Sequence, residues 1–222
     1  MEEKIFDGMK YLISYPEGFQ EDRKYPLVVF LHGAGARSEN TDRLREHVCI
    51  PYILKHQNTK GFILVAPLCN GVNWDEWMTI LVRFVDTLRE LPYVDKARVH
   101  LTGNSMGGYG TWALATLRPD WFASAMPLCG GGSAGFAKKL VGLPIRAFHG
   151  LCDKTVDPFE SLEMAKSVNL AGGHAELILF PDRGHRIWAD VYDDEKNYDW
   201  LLSFTNEREK AAEESLVGDY YG

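Results

Sequence analysis

With 222 residues, 45% of them hydrophobic and 25% charged, the chain has the composition of one globular domain large enough to bury most of its apolar surface. A net charge of −7 argues against nucleic acid as a partner, because a polyanion would meet overall repulsion. No stretch reaches the roughly 18 consecutive apolar residues of a membrane span, and residues 1–7 show neither a basic nor an apolar leader, so the cytoplasm is the expected compartment.

In chain order, short apolar and β-branched runs predict strands at 9–15, 27–32, 62–66, 98–102, 123–128, 145–149 and 175–180. Helices are predicted at 41–56, 76–91, 106–118, 158–171 and 195–205. Asp75 and Asp157 stand where helices would start, and Gly172-Gly173 where one would stop. The alternation predicts an α/β fold, a mostly parallel sheet flanked by helices, in a single domain over 1–205 followed by a polar tail over 206–222. That tail ends in Asp219-Tyr220-Tyr221-Gly222 and reads as a frayed or edge-packing extension. Cys49, Cys69, Cys129 and Cys152 have no paired metal spacing and read as reduced thiols. No metal site and no cofactor are expected.

Three loops that follow predicted strands carry the chemistry. Gly103-Asn104-Ser105-Met106-Gly107 follows the strand at 98–102 and opens the helix at 106–118, which fits a serine nucleophile on a sharp strand-to-helix turn. Asp153 follows the strand at 145–149, and His185 follows the strand at 175–180. Serine, acid and histidine in that chain order predict a triad of Ser105, Asp153 and His185. A serine hydroxyl is a poor nucleophile at neutral pH and needs a base in hydrogen-bonding reach, and the base needs a carboxylate to fix its tautomer. Asp157 and Asp182 compete for the acid's role, but Asp157 suits a helix cap and Asp182 a turn.

His32-Gly33-Ala34-Gly35 follows the strand at 27–32 and could turn a backbone N–H toward a developing oxyanion; Ala34 and Met106 are the candidate oxyanion donors. His32 is expected to shape that loop, and His149 to be structural. Only Cys129 to Pro144 separates two strands where many lipases insert a cap, and Gly130 to Gly135 suggests a flexible loop beside an open site. Without a tunnel, catalysis should favour short acyl chains, with an aromatic acyl group tolerated. Trp74, Trp188 and Tyr192 are the candidate substrate contacts, with Trp77 beside them, against the blander reading that each packs in the core.

The signatures His32-Gly33-Ala34-Gly35, Gly103 to Trp112, and His149-Gly150 with Asp153 resemble the phospholipase/carboxylesterase and "predicted peptidase" branch of the α/β-hydrolases. That branch is similar in turn to dienelactone hydrolases and to the catalytic domain of prolyl oligopeptidases. The likeness runs through Gly184-His185, Trp188, Tyr192 and Tyr198 to Leu202. It implies a serine carboxylesterase acting on small-molecule esters without metal or organic cofactor. Ser105 stands where dienelactone hydrolases carry a cysteine, and Asn104 where many relatives carry a larger residue. A peptidase or aryl-amidase is the second enzymatic reading, and an inactive hydrolase fold used for binding is the third. The oligomeric state stays open, a homodimer included.

Overall fold

A computed structural model describes residues 1–211 of the chain. Eight strands form one sheet: β1 (Glu2–Phe6), β2 (Met9–Ser14), β3 (Tyr25–Leu31), β4 (Ile63–Pro67), β5 (Val94–Asn104), β6 (Ser124–Leu128), β7 (Ile145–Gly150) and β8 (Ala175–Phe180). Their spatial order is β1-β2-β4-β3-β5-β6-β7-β8. β1 and β2 run antiparallel to their neighbours, and the other six are parallel.

The central strands are buried on both faces, as a parallel sheet between helices requires. Every residue of β3 and β4 is buried. Alternate side chains of β3 feed two separate cores. Leu27, Val29 and Leu31 point toward α3 (Met78–Arg89), α4 (Met106–Leu117) and α5 (Phe159–Leu170). Val28 and Phe30 point toward α2 (Cys49–Lys60), α6 (Trp188–Tyr192) and α7 (Glu195–Leu202). The remaining helix, α1 (Asp42–Arg45), is a single turn before α2. Strand order reverses about β3, so the loops leaving the carboxyl ends of β3 and β5 diverge and open the crevice where such sheets hold ligands.

Several expectations change. The strand β1 was not expected, because Glu2-Glu3-Lys4 lies exposed on the sheet edge and gives no apolar signal. It is brought back onto β2 by Asp7-Gly8, both at positive φ (46° and 81°), a pair suited to a tight hairpin. The helix expected over 41–56 breaks into α1 and α2, since Pro51 tolerates a place in the first turn of α2 but would clash with the His47 carbonyl in a continuous helix. The expected flexible loop at 130–135 leads into a 3-10 helix, Ala134–Leu140, with Gly131 buried. The tail begins as a packed segment. Asn206 N–H donates to the Ala97 carbonyl, and Glu209 pairs with the buried Arg89. Residues 212–222, including the terminal tyrosines, lie outside the described residues. Among the described residues no helix is long and apolar enough to cross a membrane.

Three histidines, His32, His100 and His149, are sealed in the interior. His100 Nδ1 bonds Ser124 Oγ, whose hydrogen goes to the Leu201 carbonyl, so the ring is neutral with its proton on Nδ1. Burial, with Arg98 adding to it, pushes His100 down to about 3, and burial pushes His32 down to about 4 against the pull of the Gly33 carbonyl. Both are depressed below the unfolded value of 6.5, as are His47, pushed down to about 4 by burial, and His149, so the unfolded chain takes up more protons than the folded one as pH falls from 6.5 toward 4. Stability is therefore fully present above pH 6.5 and lost below it. Urea denaturation at pH 7.5 and pH 5 should show a loss of roughly 2–4 kcal/mol at the lower pH; equal midpoints would contradict the buried neutral state.

Candidate active site

The carboxyl ends of β3, β5, β7 and β8 deliver all the residues of the site. β5 ends at Asn104, Ser105 takes φ 57° and ψ −118°, and α4 starts at once with Met106. A side chain at positive φ is strained, and it persists only where its surroundings hold it. The Ser105 N–H donates to the Leu128 carbonyl at 2.9 Å, and the Ser105 carbonyl accepts from Tyr109 N–H at 3.1 Å. Glycines make the tight turn possible by letting α4 touch the sheet. A Cβ at Gly107 would lie 1.8 Å from the Leu31 carbonyl oxygen, and one at Gly103 would lie 2.4 Å from the Gly107 oxygen.

Ser105, His185 and Asp153, far apart in the chain, form one hydrogen-bonded row. His185 Nε2 lies 2.8 Å from Ser105 Oγ, and His185 Nδ1 lies 2.6 Å from Asp153 Oδ2. Nδ1 therefore carries the proton, and Nε2 is free to accept from the serine hydroxyl. The Asp153 side chain is fully buried, whereas that of His185 is 18% exposed, so the row runs from the interior to the surface. Burial raises the Asp153 carboxyl, but His185 and the backbone N–H groups of Val156 and Thr155 outweigh it and hold the group below the ordinary carboxylate range. Both rival acids lie outside the row. Asp157 Oδ1 accepts from Phe159 N–H at the start of α5, and Asp182 is exposed beside Arg183.

Ala34 opens a short 3-10 turn, Ala34–Ala36, and lines the same cleft as Ser105 and His185. Met106 is the first residue of α4, so its N–H has no partner within the helix. His32 braces this loop. Its Nδ1–H donates to the Gly33 carbonyl at 2.8 Å, and its Nε2 accepts from Cys69 N–H at 2.9 Å. The cleft has a volume of about 700 Å³ and is lined by Gly33, Ala34, Ser105, His185, Arg186 and Trp188, among others.

Of the aromatic substrate candidates, Trp188 lies at the cleft, its ring edge-on to His185 with centroids 5.2 Å apart. Trp74 and Tyr192 are corrected. Trp74 is 1% exposed and donates its indole N–H to the His32 carbonyl, so it packs beneath the loop. Tyr192 is fully buried, and its hydroxyl donates to Thr102 Oγ1 at 2.9 Å in the core against Phe30. Neither can meet a ligand. Trp77, partly buried, packs against the core on the α3 side.

Sequence reasoning missed the surroundings of the acid. His149 Nε2 lies 3.2 Å from Asp153 Oδ2, a contact signalled by the His-Gly-Leu-Cys-Asp spacing across one tight turn. Cys129 Sγ, an Asp153 oxygen and a His185 ring nitrogen lie within 4.8 Å of one another. These are donor types that metals use, but here the Asp153 oxygens already accept from N–H groups and His185 Nδ1 carries a proton, so the trio is committed to hydrogen bonding. The four cysteines are free, three of them buried, with Cys152 exposed.

Gly107→Ala should be more damaging than an ordinary helix substitution, because the obstructing atom is backbone and cannot swing away. Overpacking of this kind costs about 1–3 kcal/mol or more, and turnover should fall with it as Ser105 is displaced. Chemical denaturation and esterase rates check this; an alanine variant of unchanged stability and rate would contradict the close approach.

The comparisons fit this geometry. Over residues 55–217 the chain matches the family model described as "Dienelactone hydrolase family". It is similar to a "Probable feruloyl esterase C" of Aspergillus terreus, 26% identical over 166 residues, covering 72% of this chain and 60% of that protein. It is also similar to dipeptidyl-peptidase 5 of Porphyromonas gingivalis, 22% identical over 82% of this chain but only 34% of the relative. A solved thermostable esterase superposes with a TM-score of 0.78 at 27% identity, covering 89% of this chain and 59% of its own. The chain thus spans about 60% or less of the length of these relatives. With the parallel sheet, the strained serine turn and the family match over most of its length, the chain belongs to the dienelactone hydrolase family of the α/β-hydrolase superfamily.

Proposed function

We propose that the protein is a serine carboxylesterase acting on small or exposed esters, with Ser105 as nucleophile, His185 as base and Asp153 as the acid that orients it. The observation that carries this reading is the continuous row from Ser105 Oγ to His185 at 2.8 Å and from His185 to Asp153 at 2.6 Å. His185 Nε2 takes the hydroxyl proton as Ser105 Oγ attacks the ester carbonyl, and the buried carboxylate stabilises the imidazolium that forms. The carbonyl oxygen becomes negative and is met by the backbone N–H groups of Ala34 and Met106. Loss of one such donor typically costs about 100- to 1000-fold in rate. The imidazolium then protonates the departing alcohol. Water, deprotonated by the same ring, releases the acid and restores Ser105.

The acyl group would lie in the cleft against Trp188, which favours short or aromatic acyl groups over long alkyl chains. No large cap is present between β6 and β7, where the Ala134–Leu140 turn packs on α4 and α5. Added methylenes would stay in water and gain little of the roughly 0.8 kcal/mol that burial of each would give. The feruloyl esterase relative supports an aromatic acyl group, and the peptidase relative makes amides the competing substrate class.

Rates on p-nitrophenyl esters should peak at about two to four acyl carbons, with hydroxycinnamate methyl esters accepted and aminoacyl anilides poor. A steady rise to long chains, or faster anilide hydrolysis, would overturn this specificity. Asp153→Asn should keep the fold and lose about 10,000-fold in turnover, since an amide favours the wrong tautomer of His185; a similar loss in Asp157→Asn instead would move the acid's role there.

A further inference from the structure

The geometry assigns His149 as a positioning residue of the hydrolytic site: through Ser161 and Gly130 it holds the Asp153 carboxylate in line with His185. The inference rests on the reading of Ser105, Asp153 and His185 as the reacting row, and it concerns a histidine that would otherwise be a core residue.

Asp153 makes four hydrogen bonds in a place closed to water. Oδ1 accepts from Thr155 N–H at 2.8 Å and Val156 N–H at 3.0 Å; Oδ2 accepts from His185 Nδ1 at 2.6 Å and faces His149 Nε2 at 3.2 Å. The two backbone donors fix one oxygen but leave the carboxylate free to pivot about it. His149 closes that freedom. It sits at the end of β7, fully buried, with both ring nitrogens engaged.

The proton on His149 follows from its neighbours. Nε2 faces two acceptors, Asp153 Oδ2 and the Val156 carbonyl at 3.1 Å, and no donor, so it carries a hydrogen. Nδ1 lies 2.7 Å from Ser161 Oγ, which lies 2.7 Å from the Gly130 carbonyl. That hydroxyl donates to the Gly130 carbonyl, so Ser161 is itself anchored while its oxygen faces the His149 ring. Burial holds His149 below the usual histidine range, against the pull of the Val156 carbonyl and of Asp153. Asp153 Oδ2 is then shared by two imidazoles. One exchanges protons with Ser105, while the other is locked by Ser161 on α5 and gives a fixed N–H.

The groups facing this acid are few. Cys129 approaches from the end of β6, its thiol pushed up to about 12 by burial, with the Asp153 charge adding to the rise. His185 comes from the loop after β8, with the Trp188 ring on its edge. His149 is therefore, apart from His185, the side-chain N–H donor that reaches the carboxylate among the described residues.

The experiment compares wild type, His149→Leu, His149→Gln, Ser161→Ala and Ser105→Ala with p-nitrophenyl acetate, each rate divided by the acylatable sites counted in a burst titration. A hydrogen bond to a charged group is large enough that His149→Leu should lose about 10- to 100-fold in kcat, with KM changed less than about twofold. His149→Gln, whose amide N–H can reach Asp153, should recover most of that loss. The far-downfield proton resonance of the His185–Asp153 hydrogen bond should move in the Leu variant and return in the Gln variant. If His149→Leu does not fold, Ser161→Ala decides by kcat and by the same resonance, both of which should change. Unchanged kcat per site with an unmoved resonance, in a protein that Ser105→Ala inactivates, overturns the role of His149 alone. An active Ser105→Ala variant sinks both this role and the reading beneath it.

Discussion

The contact on which the rest of this molecule depends is the seam where α4 meets the carboxyl ends of β3 and β6. At Gly107 and Gly108 the helix lies against the carbonyl oxygens of Leu31 and Leu128 so closely that a Cβ would come within 1.8 Å and 2.3 Å of them. That approach fixes the start of α4, and with it the backbone of Ser105. It also brings the loop after β3 alongside the serine, so Ser105 and Ala34, the proposed nucleophile and oxyanion donor, share one cleft. The strain at Ser105 is held by the sheet, through its bond to Leu128 and the packing of α4 on β5 and β6.

Around that seam, burial and charge are graded. Neutral histidines lie deepest, with His32 bracing the loop and His100 in the core. Next comes Asp153, an ionised group that survives out of water because N–H donors surround it. His185 stands at the rim, open enough to reach solvent and substrate. Such an order suits a site where charge must appear on an imidazole for a moment and then leave.

Much of this was legible in the sequence, for physical reasons that can be named. The central strands β3 and β4 are continuous apolar runs because both their faces are covered, so they announced themselves. The serine turn was marked by glycines whose absence of a side chain is a steric requirement. The edge strand β1, being exposed, had no apolar pattern to read, although Asp7-Gly8 held the turn signal. Trp74 and Tyr192 differ from expectation because residue type, and for Tyr192 nearness to His185 in sequence, says nothing of which way a ring points. Both find polar partners, the His32 carbonyl and Thr102, that only the folded chain brings within reach. The environment of Asp153 was hidden for the same reason, since Ser161 and Gly130 come from separate parts of the chain.

The account stands on a covalent step at one atom, and that step can be seen directly. Treated with a fluorophosphonate, the intact protein should gain the mass of one phosphonyl group per chain, and proteolysis should place it on the peptide that contains Gly103 to Gly107. A chain that hydrolyses esters yet takes no label, or that takes it at a different serine, would contradict Ser105 as the nucleophile.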